Sequence, residues 1–353
     1  MEHIRIGIIG AGWVVRARHL PAFKNLHGTD VRLIWSRNPD RAKEVATEFG
    51  IPKTPDRWEE IVESPEVDAV VIAAPPVLHL PATLAALRAG KHVLCQARMA
   101  RNLKEAQEML RAAQTYNLVT ALYPARPGLK GDKVMRRLLH DEKFVGEIRE
   151  LRVTGMELAE KKQGYDWGAD PDVFGVNAMT LGMWSEVSNR WVGLATRVVA
   201  LGKTHVKQRT TRNGESAEAV IPDSLAVAAE LECGATASYH FSACAASAPG
   251  HSIEIYGSRG ALAYQLFVEE IRGASGSEKL GPIPIPPEEE RAQSTDAEFI
   301  QSIRDGTPVS PSFEEGLRYM EFCEAVALSA KTGTAVTVPP PQPKMHSWGR
   351  FLN

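Results

Sequence analysis

Cysteine is scarce in this sequence. The four cysteines, Cys95, Cys233, Cys244 and Cys323, are widely separated, and no two have the Cys-x-x-Cys spacing of a redox or zinc motif. The histidines likewise lack the His-x-x-His and His-Glu-x-x-His spacings of metal-binding helices. These absences predict free thiols, a reducing cytoplasmic environment and no metal site.

Long apolar runs and a strong charge of one sign are also missing. No apolar stretch approaches the roughly 20 residues that a membrane-spanning helix needs. The formal net charge is −2, so no overall electrostatic field attracts nucleic acid or an anionic membrane. The first apolar strand begins at Ile4, which leaves no room for a signal peptide. The sequence therefore predicts no nucleic-acid or membrane partner.

The composition that is present is typical of soluble globular proteins, with 353 residues, 44% of them hydrophobic and 24% charged. A chain of this length is too long to fold around one hydrophobic core of ordinary size, so we expect two domains. Alternating strands and helices predict a Rossmann-type, doubly wound parallel sheet over residues 1–122. Strand-like runs with short turns predict, over residues 123–353, an α+β domain with a large, mainly antiparallel open sheet. One free face of that sheet predicts a homo-oligomer, a dimer or tetramer.

The opening run, residues 4–15, indicates a dinucleotide-binding turn. An apolar strand ends at Gly10-Ala11-Gly12, and a helix-compatible segment follows. The first glycine permits a tight turn, the second lets backbone approach a pyrophosphate, and the first helical N–H groups face the anion. Val15 stands in place of the third glycine, so the fingerprint is incomplete. A plain strand-to-helix turn is the alternative, but the position after an N-terminal apolar strand favours the dinucleotide.

The residues after the second predicted strand favour NADP over NAD. Folds that prefer NAD usually carry an acidic residue there, which binds the ribose 2′-hydroxyl. Here Ser36 stands at that point, followed by Arg37 and Arg41. Two guanidinium groups can bind a 2′-phosphate, and no carboxylate stands there to repel it. The alternative is that both arginines are solvated residues at the start of a helix. NADP is the expected cofactor, with NAD as the alternative.

These motifs, in their order, resemble the glucose–fructose oxidoreductase / inositol dehydrogenase / MocA family over nearly the whole chain. The matching segments are residues 7–12, 19–23, 36–42, 74–79, 85–95, 313–318 and 329–333. The resemblance implies a nicotinamide-dependent oxidoreductase in which a dinucleotide-binding domain is joined to an α/β domain used for oligomer contacts. It implies cofactor binding by Gly10, Gly12, Trp13, Val14, Ser36, Arg37, Arg41, Ala74, Pro75, His79 and Gln96.

The resemblance fails at the positions that handle protons in the family. The family's Glu-Lys-Pro signature, whose lysine lies between nicotinamide and substrate, reads Gln96-Ala97-Arg98 here. An aspartate and an acid/base histidine, four residues apart on one helical face, align with Thr180 and Trp184. Neither alanine, threonine nor tryptophan titrates near neutral pH, so all three positions are replaced.

Tyr123 and Arg98 are the remaining catalytic candidates. Tyr123 ends a strand at the carboxyl edge of the parallel sheet, where ligands bind, and its hydroxyl can donate a proton. Packing in the core or at the rim is an equally weighted alternative for Tyr123. Arg98 can hold a carboxylate or polarise a carbonyl but cannot act as a base, and a loop arginine is more often solvated. The expected substrate-binding residues are Arg126, Asn177, Thr180 and Trp184.

Three functions stay open on the sequence alone. The first is an NADP-dependent oxidoreductase with a non-standard catalytic set, acting on a small polar substrate such as a sugar derivative or a carboxylated cyclic alcohol. The second keeps the nicotinamide but is redox-neutral overall, because transient oxidation only enables elimination or bond cleavage. The third is a non-catalytic protein that senses NADP.

Overall fold

A computed structural model of the chain describes residues 3–124, 129–158, 164–211, 213–291 and 294–341. The chain divides into two compact units: residues 1–127 with 293–317, and residues 128–292 with 318–353. The first unit therefore includes a late segment of the chain in addition to the N-terminal domain that the sequence predicts.

The first part of the chain alternates parallel strands with helices, and the second part forms a mainly antiparallel sheet. The strands are β1 (Ile4–Ile9), β2 (Thr29–Trp35), β3 (Ala69–Ile72), β4 (His92–Gln96), β5 (Thr120–Tyr123), β6 (Ile148–Leu158), β7 (Ala195–Lys203), β8 (Gln208–Thr210), β9 (Ser216–Glu218), β10 (Ser224–Leu231), β11 (Thr236–Ala245), β12 (His251–Gly257), β13 (Gly260–Gln265), β14 (Glu270–Ser275), β15 (Gly281–Ile283) and β16 (Val336–Thr337). The helices are α1 (Leu20–Asn25), α2 (Pro39–Phe49), α3 (Glu59–Glu63), α4 (His79–Arg88), α5 (Leu103–Thr115), α6 (Asp132–Arg136), α7 (Pro171–Phe174), α8 (Leu181–Trp191), α9 (Thr295–Asp305) and α10 (Phe313–Thr332).

The first unit contains a five-stranded sheet with the order β2-β1-β3-β4-β5. Every neighbouring pair is parallel, so the predicted doubly wound sheet is confirmed. The strands are apolar because helices cover both faces of such a sheet; all four residues of β3 are buried. The order reverses between β1 and β3, and the carboxyl ends of these two strands border the crevice in which such folds bind ligands.

Helix α9 belongs to the first unit although it lies far along the chain. Ser294 caps its first turn by accepting a hydrogen bond from the Ala297 N–H at 3.2 Å, and the helix ends at Gly306. Phe299 and Ile300 are buried in the same hydrophobic cluster as the residues of β1, β3, β4 and β5. From the sequence alone, helical periodicity predicts a helix over residues 289–304; the observed helix begins later, at Thr295, and its packing partner has no local signature.

The second unit contains a nine-stranded sheet with the order β15-β14-β13-β12-β6-β11-β10-β7-β16. All neighbours are antiparallel except β6 and β11, which run parallel, so the predicted large, mainly antiparallel sheet is confirmed. Alternate residues of β10 are buried, which is the pattern of a sheet with one covered and one open face. On the open face, β7 exposes Val199 and Leu201.

Candidate functional site

The glycine turn after β1 is closely packed against the end of β3. Gly10 has a φ of 122°, a conformation that side chains disfavour, and a Cβ there would overlap the carbonyl oxygen of Ala73. The Gly10 N–H donates to the Trp35 carbonyl at 2.7 Å, and the Ala73 N–H donates to the Ile9 carbonyl at 2.8 Å. The first glycine is therefore required by the protein's own backbone, as the tight-turn interpretation predicts.

Gly12 is in a different situation, because a Cβ at this position would meet no atom of the protein within 4 Å. A π-helical turn (Val15–His19) follows and continues into α1. The first N–H groups of a helix have no partner within the helix and favour an anion. Val15, at the position of the third glycine, is buried in the core of the first unit. The turn thus offers open space and unpaired N–H groups, which fit a pyrophosphate.

Trp13 and Val14 directly follow the glycine turn. Trp13 is exposed, and the Arg18 guanidinium lies 5.9 Å from the centroid of its ring. Val14 is half-buried and packs against the core. Both positions were expected to contact the cofactor, and that role stays a prediction.

The residues after β2 leave two guanidinium groups in solvent. Asn38 caps α2 by accepting from the Arg41 N–H at 3.2 Å, and the Ser36 hydroxyl accepts from the Asn38 N–H at 3.2 Å. Arg37 and Arg41 have exposed side chains, and neither forms an ion pair with a residue that the structure describes. Only the backbone N–H of Arg41 takes part in capping the helix, so the side chains of Arg37 and Arg41 are both accessible to a phosphate.

His79 connects two loops at the carboxyl edge of the sheet. Its buried ring has Nε2 2.7 Å from the Ala74 carbonyl oxygen and Nδ1 2.9 Å from that of Arg98. Burial lowers the pKa of His79 and favours the neutral ring. A neutral ring has a single N–H, so His79 donates to one of these carbonyls while its other nitrogen lies beside the second. The ring therefore lies between the segment containing Ala74 and Pro75 and the loop after β4.

The Gln96-Ala97-Arg98 segment continues from β4 beside the end of β5. Gln96 pairs with Tyr123 in the sheet, and the Ala97 N–H donates to the Tyr123 carbonyl at 2.8 Å. The peptide bond between Ala97 and Arg98 is cis. Arg98 and Gln96 are partly exposed, so two of the expected site residues lie at the carboxyl edge of the sheet.

Tyr123 lies in the core of the first unit, with only 1% of its surface exposed. Its ring centroid is 4.1 Å from that of His19, whose Nδ1 lies 2.6 Å from Oδ1 of Asp296. Burial, together with the nearby Asp296 carboxyl, raises the pKa of the Tyr123 phenol. The surroundings fit the packing alternative, and the raised pKa makes the phenol a weaker acid than an ordinary tyrosine. The catalytic role of Tyr123 stays a prediction.

In the second unit, three of the expected substrate residues lie in or next to the first turn of α8. The buried Asn177 side chain donates to the Phe174 carbonyl at 2.6 Å. Helix α8 begins at Leu181, later than the predicted 176, and Thr180 precedes it. The Trp184 N–H donates to the Thr180 carbonyl at 3.1 Å, so these two residues do have the expected helical spacing. Arg126 lies outside the described residues.

No sequence pattern pointed to the partner of Trp184. The buried indole N–H donates to Nδ1 of His251 at 2.9 Å, and the partly exposed Phe267 ring packs edge-on against the same imidazole at 4.3 Å. His251 is the first residue of β12 and stands 67 positions after Trp184. A contact at that separation leaves no local signature, so only the fold brings these side chains together.

All four cysteines are free thiols, of which Cys95 and Cys323 are buried. Throughout the described ranges, no group of three or more His, Cys, Asp or Glu side chains is arranged to hold a metal ion. None of the helices within those ranges has both the length and the apolar character needed to cross a membrane.

Two family models match the sequence. One, described as an oxidoreductase family with an NAD-binding Rossmann fold, matches residues 4–123; the other, the C-terminal alpha/beta domain of an oxidoreductase family, matches residues 186–338.

One relative and a solved structure extend this likeness over nearly the full length, and a second relative matches about half of the chain. Levoglucosan dehydrogenase of Pseudarthrobacter phenanthrenivorans is 24% identical, over 96% of this chain and 99% of that protein. The scyllo-inositol 2-dehydrogenase (NADP(+)) of Bacillus subtilis is 26% identical, over 51% of this chain and 56% of that protein. A structure of levoglucosan dehydrogenase with NADH and levoglucosan has a TM-score of 0.84 at 22% identity, covering 96% of this chain and 100% of that one. At this identity the structural likeness concerns the fold.

Proposed function

This chain belongs to the glucose–fructose oxidoreductase / inositol dehydrogenase / MocA family, and from that premise we propose that it is an NADP-dependent oxidoreductase of a small polar substrate. The observation that carries the proposal is the glycine turn, in which Gly10 fits only without a side chain and Gly12 faces open space. Relatives named for levoglucosan and scyllo-inositol support a sugar derivative or cyclic alcohol as the substrate class.

Each part of the cofactor has candidate partners in this chain. The backbone at Gly10 and Gly12 and the helix start after them hold the pyrophosphate. Ser36, Arg37 and Arg41 at the end of β2 hold the 2′-phosphate, because two solvated guanidinium groups can form charge-assisted hydrogen bonds to it. When bound, the nicotinamide supplies the carbon that gives or accepts the hydride.

The preference for NADP is tested by the substitution Arg37→Ala. We expect wild-type protein to bind NADPH about tenfold or more tightly than NADH, since a hydrogen bond to a charged group contributes about 1.5–3 kcal/mol. Arg37→Ala should erase most of this preference and leave NADH affinity unchanged. Isothermal titration with both nucleotides measures each affinity directly.

Arg88→Ala is the matched control for this experiment. Arg88 is an exposed arginine at the end of α4, which returns from the carboxyl edge of β3 to the opposite edge of the sheet. Its removal changes the net charge as Arg37→Ala does, without touching the end of β2. Equal affinities of the wild-type protein for NADPH and NADH would contradict the proposed preference.

The proposed catalytic set is non-standard, because Ala97, Thr180 and Trp184 cannot exchange protons near neutral pH. In this proposal Arg98 polarises the substrate oxygen through its guanidinium group, and Tyr123 donates a proton. The partial exposure of Arg98 and the place of Tyr123 at the carboxyl end of β5 support these roles.

We expect Arg98→Ala and Tyr123→Phe to lower turnover by about 100-fold and at least about tenfold, respectively, at unchanged NADPH affinity. Tyr123→Phe keeps the buried ring and removes only the hydroxyl, so the packing should survive. The assay follows NADPH absorbance with sugars and carboxylated cyclic alcohols. Unchanged turnover in Tyr123→Phe would assign that residue to core packing, and unchanged turnover in Arg98→Ala would remove Arg98 from the set.

The three replaced positions also favour a second candidate, a protein that binds NADP without turnover. Such a sensor would bind NADPH reversibly and leave its absorbance unchanged with every substrate of the panel. A redox-neutral enzyme would instead retain its nucleotide through purification and convert substrate without net NADPH change.

The assembly and the cellular location belong to the same proposal. The open face of the large sheet carries Val199 and Leu201, the latter 70% exposed, and apolar side chains on a free sheet face support packing against a second copy. We therefore propose that the protein forms a homo-oligomer, a dimer or tetramer. We also propose that it is cytoplasmic.

A further inference from the structure

The helix that follows the glycine turn contains one wider turn, Val15–His19. There the Leu20 N–H donates to the Val15 carbonyl, five residues back, whereas an α-helix bonds four residues back. Such π turns add one residue to a helix and occur frequently at functional sites. The wider turn also changes which side chains lie over one another, and Arg18 lies over the ring of Trp13, five residues before it.

The two arginines of this turn have different partners. Arg16 forms ion pairs with Glu44 at 2.9 Å and with Glu48 at 2.5 Å. Arg18 forms no ion pair with any residue that the structure describes, and its guanidinium group lies 5.9 Å from the centroid of the exposed Trp13 ring. The charge of Arg16 is therefore compensated within the protein, whereas the exposed charge of Arg18 is accessible to an anion.

Arg18 also lies close to Tyr123 at the carboxyl end of β5. The next residue, His19, has its ring centroid 4.1 Å from that of Tyr123. Burial and the Asp296 carboxyl raise the pKa of the Tyr123 phenol, and the Arg18 charge opposes both effects by lowering it. A charge acts on a phenol in this way only when it lies near it. An anion bound by Arg18 would therefore lie near the proposed proton donor.

We propose that Arg18 binds a carboxylate group of the substrate and that Trp13 is the residue that positions its guanidinium group. A planar guanidinium can donate to both carboxylate oxygens at once, through charge-assisted hydrogen bonds. The substrate is then an acid, a sugar acid or a carboxylated cyclic alcohol, whereas the relatives are named for the neutral compounds levoglucosan and scyllo-inositol. The inference rests on the proposed function, because Tyr123 and the nucleotide define where this substrate reacts.

The experiment compares acids with neutral counterparts: glucuronate with glucose, galacturonate with galactose, and quinate with its methyl ester. Saturation-transfer NMR titration measures each affinity for the full chain with NADP+ present. We expect the wild-type protein to bind the tightest acid at least about tenfold more tightly than its counterpart, because only the acid accepts charge-assisted hydrogen bonds. Arg18→Ala should remove this difference and leave the affinity for the neutral compound unchanged.

Arg16→Ala is the matched control, since it removes an exposed arginine of the same turn and changes the net charge equally. It should keep the wild-type preference for the acid. The NADPH affinity of Arg18→Ala, measured by isothermal titration, distinguishes a substrate carboxylate from the cofactor's phosphates. A fall in NADPH affinity with no change in the preference for the acid would assign Arg18 to the nucleotide and overturn the proposal.

The positioning role of Trp13 is tested by two substitutions. Trp13→Leu removes the aromatic face and should reduce the preference for the acid by about threefold, whereas Trp13→Phe retains an aromatic face and should keep most of it. The ratio of the two affinities is compared within each variant, so an effect on nucleotide binding does not enter. An unchanged ratio in Trp13→Leu would overturn this role.

Equal wild-type affinities for the acids and their neutral counterparts would overturn the carboxylate role of Arg18. Binding of NADPH without binding of any of the three acids would also overturn it and leave the cofactor proposal intact. Failure to bind NADPH would instead contradict the proposed function itself, so the two failures are distinguishable.

Discussion

Gly12→Ala is expected to lower NADPH affinity by at least about 100-fold while the protein remains folded. The added Cβ meets no protein atom within 4 Å, so the native backbone is not strained. The same methyl group would occupy the space through which a pyrophosphate must approach the helix start. Isothermal titration measures the affinity, and the thermal midpoint without nucleotide measures the fold.

Gly10→Ala is the comparison that makes this result specific. Here the Cβ would overlap the Ala73 carbonyl oxygen, and the φ of 122° is unfavourable for alanine, so stability should fall together with binding. Loss of binding with an unchanged midpoint is therefore expected in Gly12→Ala alone. Wild-type NADPH affinity in Gly12→Ala would place the nucleotide away from this turn and contradict the proposed function.

The second large effect concerns the buried pair of His19 and Asp296. We expect Asp296→Ala to destabilise the first unit by about 3 kcal/mol, because it leaves the buried imidazole without its partner. For a unit of this size, that loss corresponds to a fall in thermal midpoint of about 6–12 °C. The midpoint is followed by circular dichroism without nucleotide, so that ligand stabilisation does not mask the change.

Asp296→Asn serves as the matched control. The amide has almost the same shape, and its oxygen can still accept from an imidazole N–H, so the midpoint should fall by much less than in Asp296→Ala. An Asp296→Ala midpoint within about 2 °C of wild type would show that the pair contributes little to stability and would contradict the prediction.

The sequence predicted the main features of the fold because the signals were local. The apolar run of β1 ends at Gly10, and the periodic apolar positions of α2 end at Gly50, so each boundary is marked by residues adjacent to it. The burial of Val15 in the core gives a physical reason for the missing third glycine. Helix α8 was predicted to begin too early, because the residues before Thr180 have helix-compatible types but form a turn with Met179 at a φ of 44°.

The candidate site was predicted less completely. Gly10, Gly12, Ser36 and Arg37 were predicted as cofactor residues from the strand-to-helix pattern. The structure shows close packing at Gly10, open space at Gly12 and an exposed Arg37 side chain, and the cofactor role of all four residues stays a prediction. His79 was identified from the family motif, whereas its contacts with two backbone carbonyls were not, since one of them lies 19 residues away.

By itself, the sequence determined the two kinds of sheet and the glycine turn after β1. Only the tertiary structure decided that Asp296 lies against His19, 277 positions away, and that Trp184 bonds to His251. The physical reason is the range of the interactions. Turns and periodic burial depend on neighbouring residues, whereas a buried polar pair depends on which distant elements share a core.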